Sequence, residues 1–208
     1  MKVLLINPSQ RFLYKETKIR AGAIYSPVLS LACIAAPLTE KGIDVIIIDL
    51  NIHEIGSLYE VLSDIGIIFA GITFTTPLFE SAAAIAEIIR KIRPDIKLIC
   101  GGPHATSLTE EVLTQSDFDI AVISEGDFTL HDIVFSEDVS KVEGIAYKNN
   151  GNITRTAHRS KIRNLDELPY PAWHLYDIKK YSVTGLLAEI NPVGWLETSR
   201  GCVFECVY

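Results

Sequence analysis

The sequence predicts an α/β fold built on a doubly wound, five-stranded parallel sheet. Three observations lead to this prediction. Short, almost wholly apolar runs alternate with segments of helical periodicity from residue 1 to about residue 135. Signals for the start and the end of a helix separate most of these segments. Beyond residue 135 the alternation stops. Strands that alternate with helices are typical of a parallel sheet covered on both faces.

The five predicted strands are the apolar runs. They span residues 2–7, 43–49, 66–73, 96–100 and 119–123. A continuous apolar run, without the alternation of a half-exposed strand, suits a strand that is buried on both of its faces. The runs therefore favour a central sheet rather than a sheet with one face in water.

Helix-start signals precede the first and the third predicted helix. Ser26-Pro27 and Thr76-Pro77 each place a hydroxyl at the N-cap and a proline at the first helical position. Gly42 is expected just past the end of the first helix, where a left-handed conformation is common. Apolar residues recur at helical spacing over 78–92, and Pro94 marks the end of the third helix.

The other helices are predicted to be shorter. Residues 58–62 are a helical candidate between the second and third strands. Ser107 and Glu110 have the spacing of a capping box, which predicts a helix through Thr114. Asp127 is expected to cap the last helix, which follows the fifth strand.

The chain is expected to divide into three segments. These are the α/β domain (1–136), a hairpin with a linker (137–192) and a separate terminal segment (193–208). The hairpin pairs residues 144–148 with 153–156 through an Asn-Gly turn. Residues 164–181 have no clear period and are expected to wrap over the surface. Residues 195–198 are predicted to form one more strand.

Composition excludes several classes of protein. The 208 residues are 48% hydrophobic and 22% charged, which is ordinary for a globular protein and excludes a disordered chain. A net charge of −7 disfavours a nucleic-acid partner, since such proteins need basic surface. No apolar run approaches the roughly 18 residues of a membrane span. The start lacks the layout of a signal peptide, so we expect a cytoplasmic protein without a membrane partner.

Polar and glycine residues gather where ligands bind in such sheets, beyond the carboxyl ends of the strands. Thr73, Thr75 and Thr76 follow the third strand, and Gly101-Gly102 ends the fourth. Helix capping explains the threonines separately, and a tight turn explains the glycines. Together at one edge they favour a pocket. The glycine-rich phosphate loops of dinucleotide-binding and P-loop proteins are absent from the sequence.

The four cysteines fall into two groups. Cys33 and Cys100 lie in apolar runs and are expected to be small buried residues. Cys202 and Cys206 form a C-x-x-x-C pair. A zinc site typically needs four ligands, and a redox pair is usually C-x-x-C, so neither explains this spacing well.

These motifs together resemble a known family. The segments Gly101-Gly102-Pro103-His104-Ala105, Thr73-x-Thr75 and Ser124-Glu125-Gly126-Asp127 resemble the cobalamin-binding domain attached to radical S-adenosylmethionine (SAM) enzymes. The stretch from Thr198 to Cys206 resembles the start of the C-x-x-x-C-x-x-C cluster motif of these enzymes. The resemblance covers essentially the whole chain. It implies a flavodoxin-like strand order, 2-1-3-4-5, and a third cysteine directly after Tyr208.

The resemblance also implies cofactors and site residues. Cobalamin would contact Thr73, Thr75, Thr76, Gly101, Gly102, His104, Glu125 and Gly126. Cys202 and Cys206 would be two of the three thiolates that hold a [4Fe–4S] cluster, to which SAM binds in the full-length protein. The chain is then the amino-terminal part of a methyltransferase or radical cyclase that lacks its carboxy-terminal barrel. By itself it would bind cofactor and catalyse nothing.

Other functions stay open at this point. A non-catalytic flavodoxin-like module could bind cobalamin or a nucleotide without any cluster. A receiver domain is disfavoured, because Asn7-Pro8-Ser9 follows the first strand in place of an acidic cluster. Many cobalamin carriers ligate cobalt with a histidine from a D-x-H-x-x-G loop after the first strand. Here Asn51-x-His53-x-x-Gly56 follows the second strand, so we expect His53 not to bind cobalt.

Overall fold

A computed structural model describes residues 1–10, 26–183, 189–202 and 204. It contains a seven-stranded sheet in the order β2-β1-β3-β4-β5-β6-β7. The strands are β1 (Lys2–Asn7), β2 (Asp44–Asp49), β3 (Ile67–Thr73), β4 (Lys97–Gly101), β5 (Ile120–Val122), β6 (Ile145–Asn149) and β7 (Asn152–Arg155). The first five are parallel, which confirms the predicted flavodoxin-like order. The predicted hairpin, β6 and β7, extends this same sheet as two antiparallel strands.

Helices cover both faces of the sheet. They are α1 (Leu29–Glu40), α2 (Ile55–Leu62), α3 (Phe79–Ile92), α4 (Pro103–Ser107), α5 (Thr109–Gln115) and α6 (Asp127–Phe135). Side chains of α2, α3 and α5 form one hydrophobic core against the sheet. Side chains of α1 and α6 form a second core on the opposite face. The doubly wound arrangement is therefore confirmed. Among the described residues, no helix is long and apolar enough to span a membrane.

Two predicted helix starts are wrong. α1 begins at Leu29 rather than after Ser26, and the Ser26 hydroxyl instead accepts a hydrogen bond from Trp195 Nε1 at 2.5 Å. The capping box is also wrong, because Ser107 ends α4, a helix that the sequence did not predict. α5 follows at Thr109, whose hydroxyl donates back to the Ala105 carbonyl at 2.8 Å. At the first place the hydroxyl has a side-chain partner instead of the expected backbone amide, and at the second the predicted cap residue belongs to the preceding helix.

Three further local predictions are wrong. Thr76 begins a 3₁₀ turn that leads into α3, without a side-chain cap. Asp127 is the first residue of α6, and its carboxylate binds Arg200 instead of capping the helix. Residues 195–198 form no strand. A strand needs a neighbour to pair with, and no described strand lies beside this segment.

The linker over 164–181, predicted only to wrap over the surface, packs on α1. The Ala172 amide donates to the Ala32 carbonyl at 2.9 Å, and the Tyr176 hydroxyl donates to the Val28 carbonyl at 3.0 Å. Ala172, Tyr176 and Tyr181 belong to the same hydrophobic core as α1. The linker therefore fixes the outer side of α1.

At the amino edge of the sheet, far from the predicted ligand edge, Arg93 joins α3 to the start of β3. Its guanidinium donates to the carbonyls of Leu62, Asp64 and Ile67 at 3.2, 3.0 and 3.1 Å. Its side chain is only 15% exposed. One cation thus satisfies three backbone acceptors of the α2–β3 connection.

Arg93→Met should destabilise the protein by about 1–3 kcal/mol, since it keeps the apolar stem but leaves these carbonyls without their donor. The matched control is Lys91→Met, which removes an exposed pair with Glu87 and should cost less than ~0.5 kcal/mol. Urea unfolding followed by circular dichroism measures both. Equal losses for the two variants would contradict the assignment.

Candidate functional site

A cavity of about 440 Å³ opens at the carboxyl edge of the sheet. Its floor is formed by the ends of β3, β4 and β5, and its walls by α1, the start of α6 and the segment around Arg200. The lining residues are largely apolar and include Leu5, Leu31, Ile34, Ile72, Ile99, Val122 and Leu130. Of the predicted site residues, five line it: Thr73, Gly101, Gly102, Glu125 and Gly126.

The glycines at this edge have different roles. A Cβ at Gly101 would meet nothing nearer than the Val122 Cβ at 3.8 Å, so this glycine keeps the cavity open. Gly102 has φ +96°, and a Cβ there would lie 2.7 Å from the Phe74 carbonyl oxygen. Gly102 is therefore required by the backbone conformation and by its contact with the neighbouring loop. Gly126 packs against Ile34, where a Cβ would lie 3.3 Å from Cγ2.

Ser124 occupies an uncommon backbone conformation at the rim of the cavity. It is not a glycine, yet its φ is +71°. Its amide donates to the Thr106 hydroxyl at 3.0 Å, which ties the end of β5 to α4. Such a conformation persists where the surrounding structure imposes it, and it often occurs at functional sites. Here it turns the chain so that Glu125 and Gly126 face the cavity.

An ion cluster lies at the mouth of the cavity. Arg200 donates to both carboxylate oxygens of Asp127, at 2.8 and 3.1 Å, and to Glu197 at 2.7 Å. Glu125 lies 3.7 Å from the same guanidinium and accepts the Ile162 amide at 2.7 Å. The bonds to Asp127 are the main reason that the pKa of Arg200 is raised above its ordinary value. The cluster joins the terminal segment to α6.

A second, more polar cavity of about 320 Å³ lies beside the first. Thr73 and Ser30 line both cavities, and Thr75 lines only the second. Asn7 and Asp49 also line the second cavity, where the largely buried carboxylate of Asp49 accepts hydrogen bonds from the Asn7 side chain at 2.9 Å and from the Tyr181 hydroxyl at 3.2 Å. The two cavities form adjoining apolar and polar compartments along one edge.

Thr76 and His104 line neither cavity. His104 is buried, its Nδ1 lies 3.1 Å from the Thr76 hydroxyl oxygen, and its ring packs against Phe79 at 4.9 Å between centroids. Its Nε2 has no hydrogen-bond partner among the described residues. These contacts join the loop after β3 to α4, so both residues stabilise the backbone near Gly102 without lining a cavity.

Cys33 was not predicted as a site residue. The thiol is half-buried in the wall that α1 forms, whereas Cys100 is buried as predicted. Burial raises the pKa of Cys33 to about 11. The sequence contained no signal for this position, because a cysteine in an apolar helix face looks the same whether it borders a core or a cavity.

The cysteine pair is described only in part. Cys202 is exposed, and Cys206 lies outside the described residues. No group of three His, Cys, Asp or Glu residues in the described ranges is placed to hold a metal ion. His53 follows the edge strand β2 and lines neither cavity. Its Nδ1 is buried and has no hydrogen-bond partner in the described part of the chain.

Comparison with known proteins identifies the family. The model of the B12-binding domain matches residues 22–134, more than half of the chain. The chain belongs to the B12-binding domain family. The matched range contains the ends of β3, β4 and β5, α1 and the start of α6, which form most of the lining of the apolar cavity. The resemblance that the sequence motifs indicated is confirmed.

Two curated relatives match the whole chain. One is an uncharacterized methyltransferase of Pyrococcus horikoshii, which is 31% identical over 218 aligned residues; the match covers 45% of the length of that protein. Another is the anaerobic magnesium-protoporphyrin IX monomethyl ester cyclase of Synechocystis, which is 26% identical over 220 aligned residues; the match covers 42% of the length of that protein. The chain thus spans less than half the length of these relatives.

Solved structures share the fold. The radical SAM methyltransferase TsrM of Kitasatospora setae, with cobalamin and a [4Fe–4S] cluster bound, superposes with a TM-score of 0.59 at 17% identity over 86% of this chain and 34% of its own. The cobalamin-dependent radical SAM enzyme OxsB, with aqua-cobalamin bound, gives 0.66 at 20% identity over 82% of this chain and 24% of its own. The predicted fold class is thereby confirmed.

The reactivity of Cys33 should report on its surroundings. The thiolate is the reactive form, and the pKa of Cys33 lies above pH 10. The rate of alkylation of Cys33 should therefore increase about tenfold per pH unit from pH 7 to pH 10. Iodoacetamide labelling followed by peptide mass spectrometry measures this rate. A rate that levels off near pH 9, as expected for an ordinary thiol of pKa ~8.5, would contradict the burial of this side chain.

Proposed function

We propose that this chain binds cobalamin, with the nucleotide tail detached from cobalt and inserted into the apolar cavity. We further propose that it is the amino-terminal part of a radical SAM methyltransferase or cyclase. The observation that carries the first proposal is the open cavity above Gly101 in a chain of the B12-binding family.

The residues present fit such a tail. The tail ends in a flat, apolar benzimidazole, and the cavity has apolar walls and a size within the usual range for small-molecule sites, about 300–1,000 Å³. Gly101 and Gly126 leave room for it along the strand ends. The hydroxyls of Thr73, Ser30 and Ser124 lie at the lining and can donate to the ribose or phosphodiester of the tail. The adjoining polar cavity would take amide groups of the corrin edge.

Cobalamin supplies a cobalt atom that can carry a methyl group. The chain's own contribution is to hold and orient the cofactor and to exclude water from its tail. The proposal of an enzyme rests on the names of the relatives, a methyltransferase and a cyclase, and on Cys202 and Cys206 in the cluster-like motif. The substrate site would lie in the part of the relatives that this chain does not span.

Gly101→Leu should abolish cobalamin binding or weaken it at least ~100-fold, because its side chain would occupy the cavity without backbone strain. Gly102→Leu is a poorer test, since its backbone would be strained with or without the ligand. The matched control is Gly56→Leu, where a Cβ meets nothing within 4 Å and which lies in α2, away from the cavity. Hydroxocobalamin is titrated and followed by its visible spectrum, with urea unfolding as the check on folding.

Binding of cobalamin by folded Gly101→Leu with the affinity of the parent would show that the tail does not enter this cavity. The spectrum of the bound form also tests the state of the tail. A spectrum in which the benzimidazole still ligates cobalt would contradict the proposed detachment.

His53→Ala should leave the electron paramagnetic resonance spectrum of bound cob(II)alamin unchanged. His53 follows the edge strand and lines neither cavity, so it has no access to the proposed cofactor position. Loss of nitrogen hyperfine structure in this variant would show that His53 is a cobalt ligand after all.

A further inference from the structure

We infer that Arg200 is a positioning residue. Through Asp127 it holds the segment that leads into Cys202 across the mouth of the apolar cavity. The inference rests on the proposed function, because it assigns a role to this segment at the proposed cobalamin site. It links the start of the cluster-like motif to the B12-binding domain by a contact that the strand-end motifs do not include.

The contact between Arg200 and Asp127 has the geometry of a strong ion pair. The two residues are 73 positions apart in the sequence, and two parallel N–H···O bonds join them, at 2.8 and 3.1 Å. Only 19% of the Arg200 side chain and 5% of the Asp127 side chain are exposed. Planar bidentate pairs of this kind fix orientation as well as distance.

Asp127 is placed where its carboxylate can bind a cation. It lies in the first turn of α6, where the helix dipole favours a carboxylate. A buried carboxylate still needs a counter-ion, since one left alone is strongly destabilising. Among the ion pairs of the described residues, Arg200 is the partner of Asp127. The terminal segment therefore supplies the charge that the domain requires.

The cluster does not favour an anion-binding role for Arg200. Three carboxylates surround the guanidinium: Asp127, Glu197 and Glu125, at 2.8, 2.7 and 3.7 Å. They outnumber its single positive charge, so this guanidinium is already neutralised and is not the group that would bind the phosphodiester of a nucleotide tail. The guanidinium is used to hold the segment in place.

The position of this segment matters to the cavity. Glu197 and Arg200 are both lining residues, so the segment is one wall of the proposed tail site. Cys202 follows two residues later. The segment that contains Glu197 and Arg200 would thus contact a ligand in the cavity and also fix the position of Cys202.

The chain offers a matched control pair. Arg159 binds Asp132, which also lies in α6, and donates to the Glu143 carbonyl at 3.2 Å. Like Arg200, it fastens a segment after the sheet to α6. Neither Arg159 nor Asp132 lines the apolar cavity. Asp132→Asn therefore weakens an Arg–Asp contact on the same helix without touching the proposed site.

The test places a nitroxide label on Cys202 in a Cys206→Ser background, labelled at pH 7 where the raised pKa of Cys33 protects that thiol. Arg200→Gln and Asp127→Asn should each increase label mobility, and the double variant should add little to either single change. Both should also weaken hydroxocobalamin binding about tenfold, because the cavity loses a fixed wall. Asp132→Asn should change neither readout.

Unchanged label mobility in folded Arg200→Gln would overturn the positioning role, whether or not cobalamin binds. Increased mobility with unchanged cobalamin affinity would overturn the link to the cavity. Failure of the unsubstituted protein to bind cobalamin would instead contradict the proposed function, and the mobility readout would still decide whether Arg200 holds the segment. If Asp127→Asn or Arg200→Gln does not fold, Arg200→Lys carries the test, because it keeps a counter-ion for Asp127 but cannot form the bidentate pair, so label mobility should still increase.

Discussion

The position of the apolar cavity depends on where the parallel strands of the sheet end. β3, β4 and β5 are parallel neighbours, so their carboxyl ends meet at one edge, and the helices that follow must leave to one face or the other. α1 and α6 pack together on one face, and the strand ends below them close the third side. A side chain at Gly101 would fill the space that remains. The cavity thus follows from topology together with one residue lacking a side chain.

The walls of this cavity are held by contacts from distant parts of the chain. The linker fixes α1 through Ala172 and Tyr176 and meets the end of β2 through Tyr181 and Asp49. The terminal segment fixes the start of α6 through Arg200. Ligand sites work best when their walls are rigid before the ligand arrives. Segments outside the α/β core therefore help to hold the walls of the cavity in place.

The sequence predicted the sheet well because burial on both faces leaves a simple mark, a continuous apolar run. It predicted helix starts poorly because a cap hydroxyl or carboxylate can take a tertiary partner instead. Ser26 accepts from Trp195, Thr76 contacts His104, and Asp127 binds Arg200. Gly101 could be predicted as a site residue from its place at a strand end. Cys33 and Arg200 could not, since their roles depend on neighbours far away in the sequence.

Comparison of cobalamin with cobinamide, the corrinoid that lacks the nucleotide tail, tests the central claim most directly. In the proposed binding mode both ligands would present the same corrin amides to the polar cavity, and only cobalamin would have a group to place in the apolar cavity. Isothermal titration of the unsubstituted protein should show cobalamin binding at least ~tenfold more tightly than cobinamide, a difference of about 1.4 kcal/mol. Equal affinities would show that the cavity above Gly101 contributes nothing to cofactor binding.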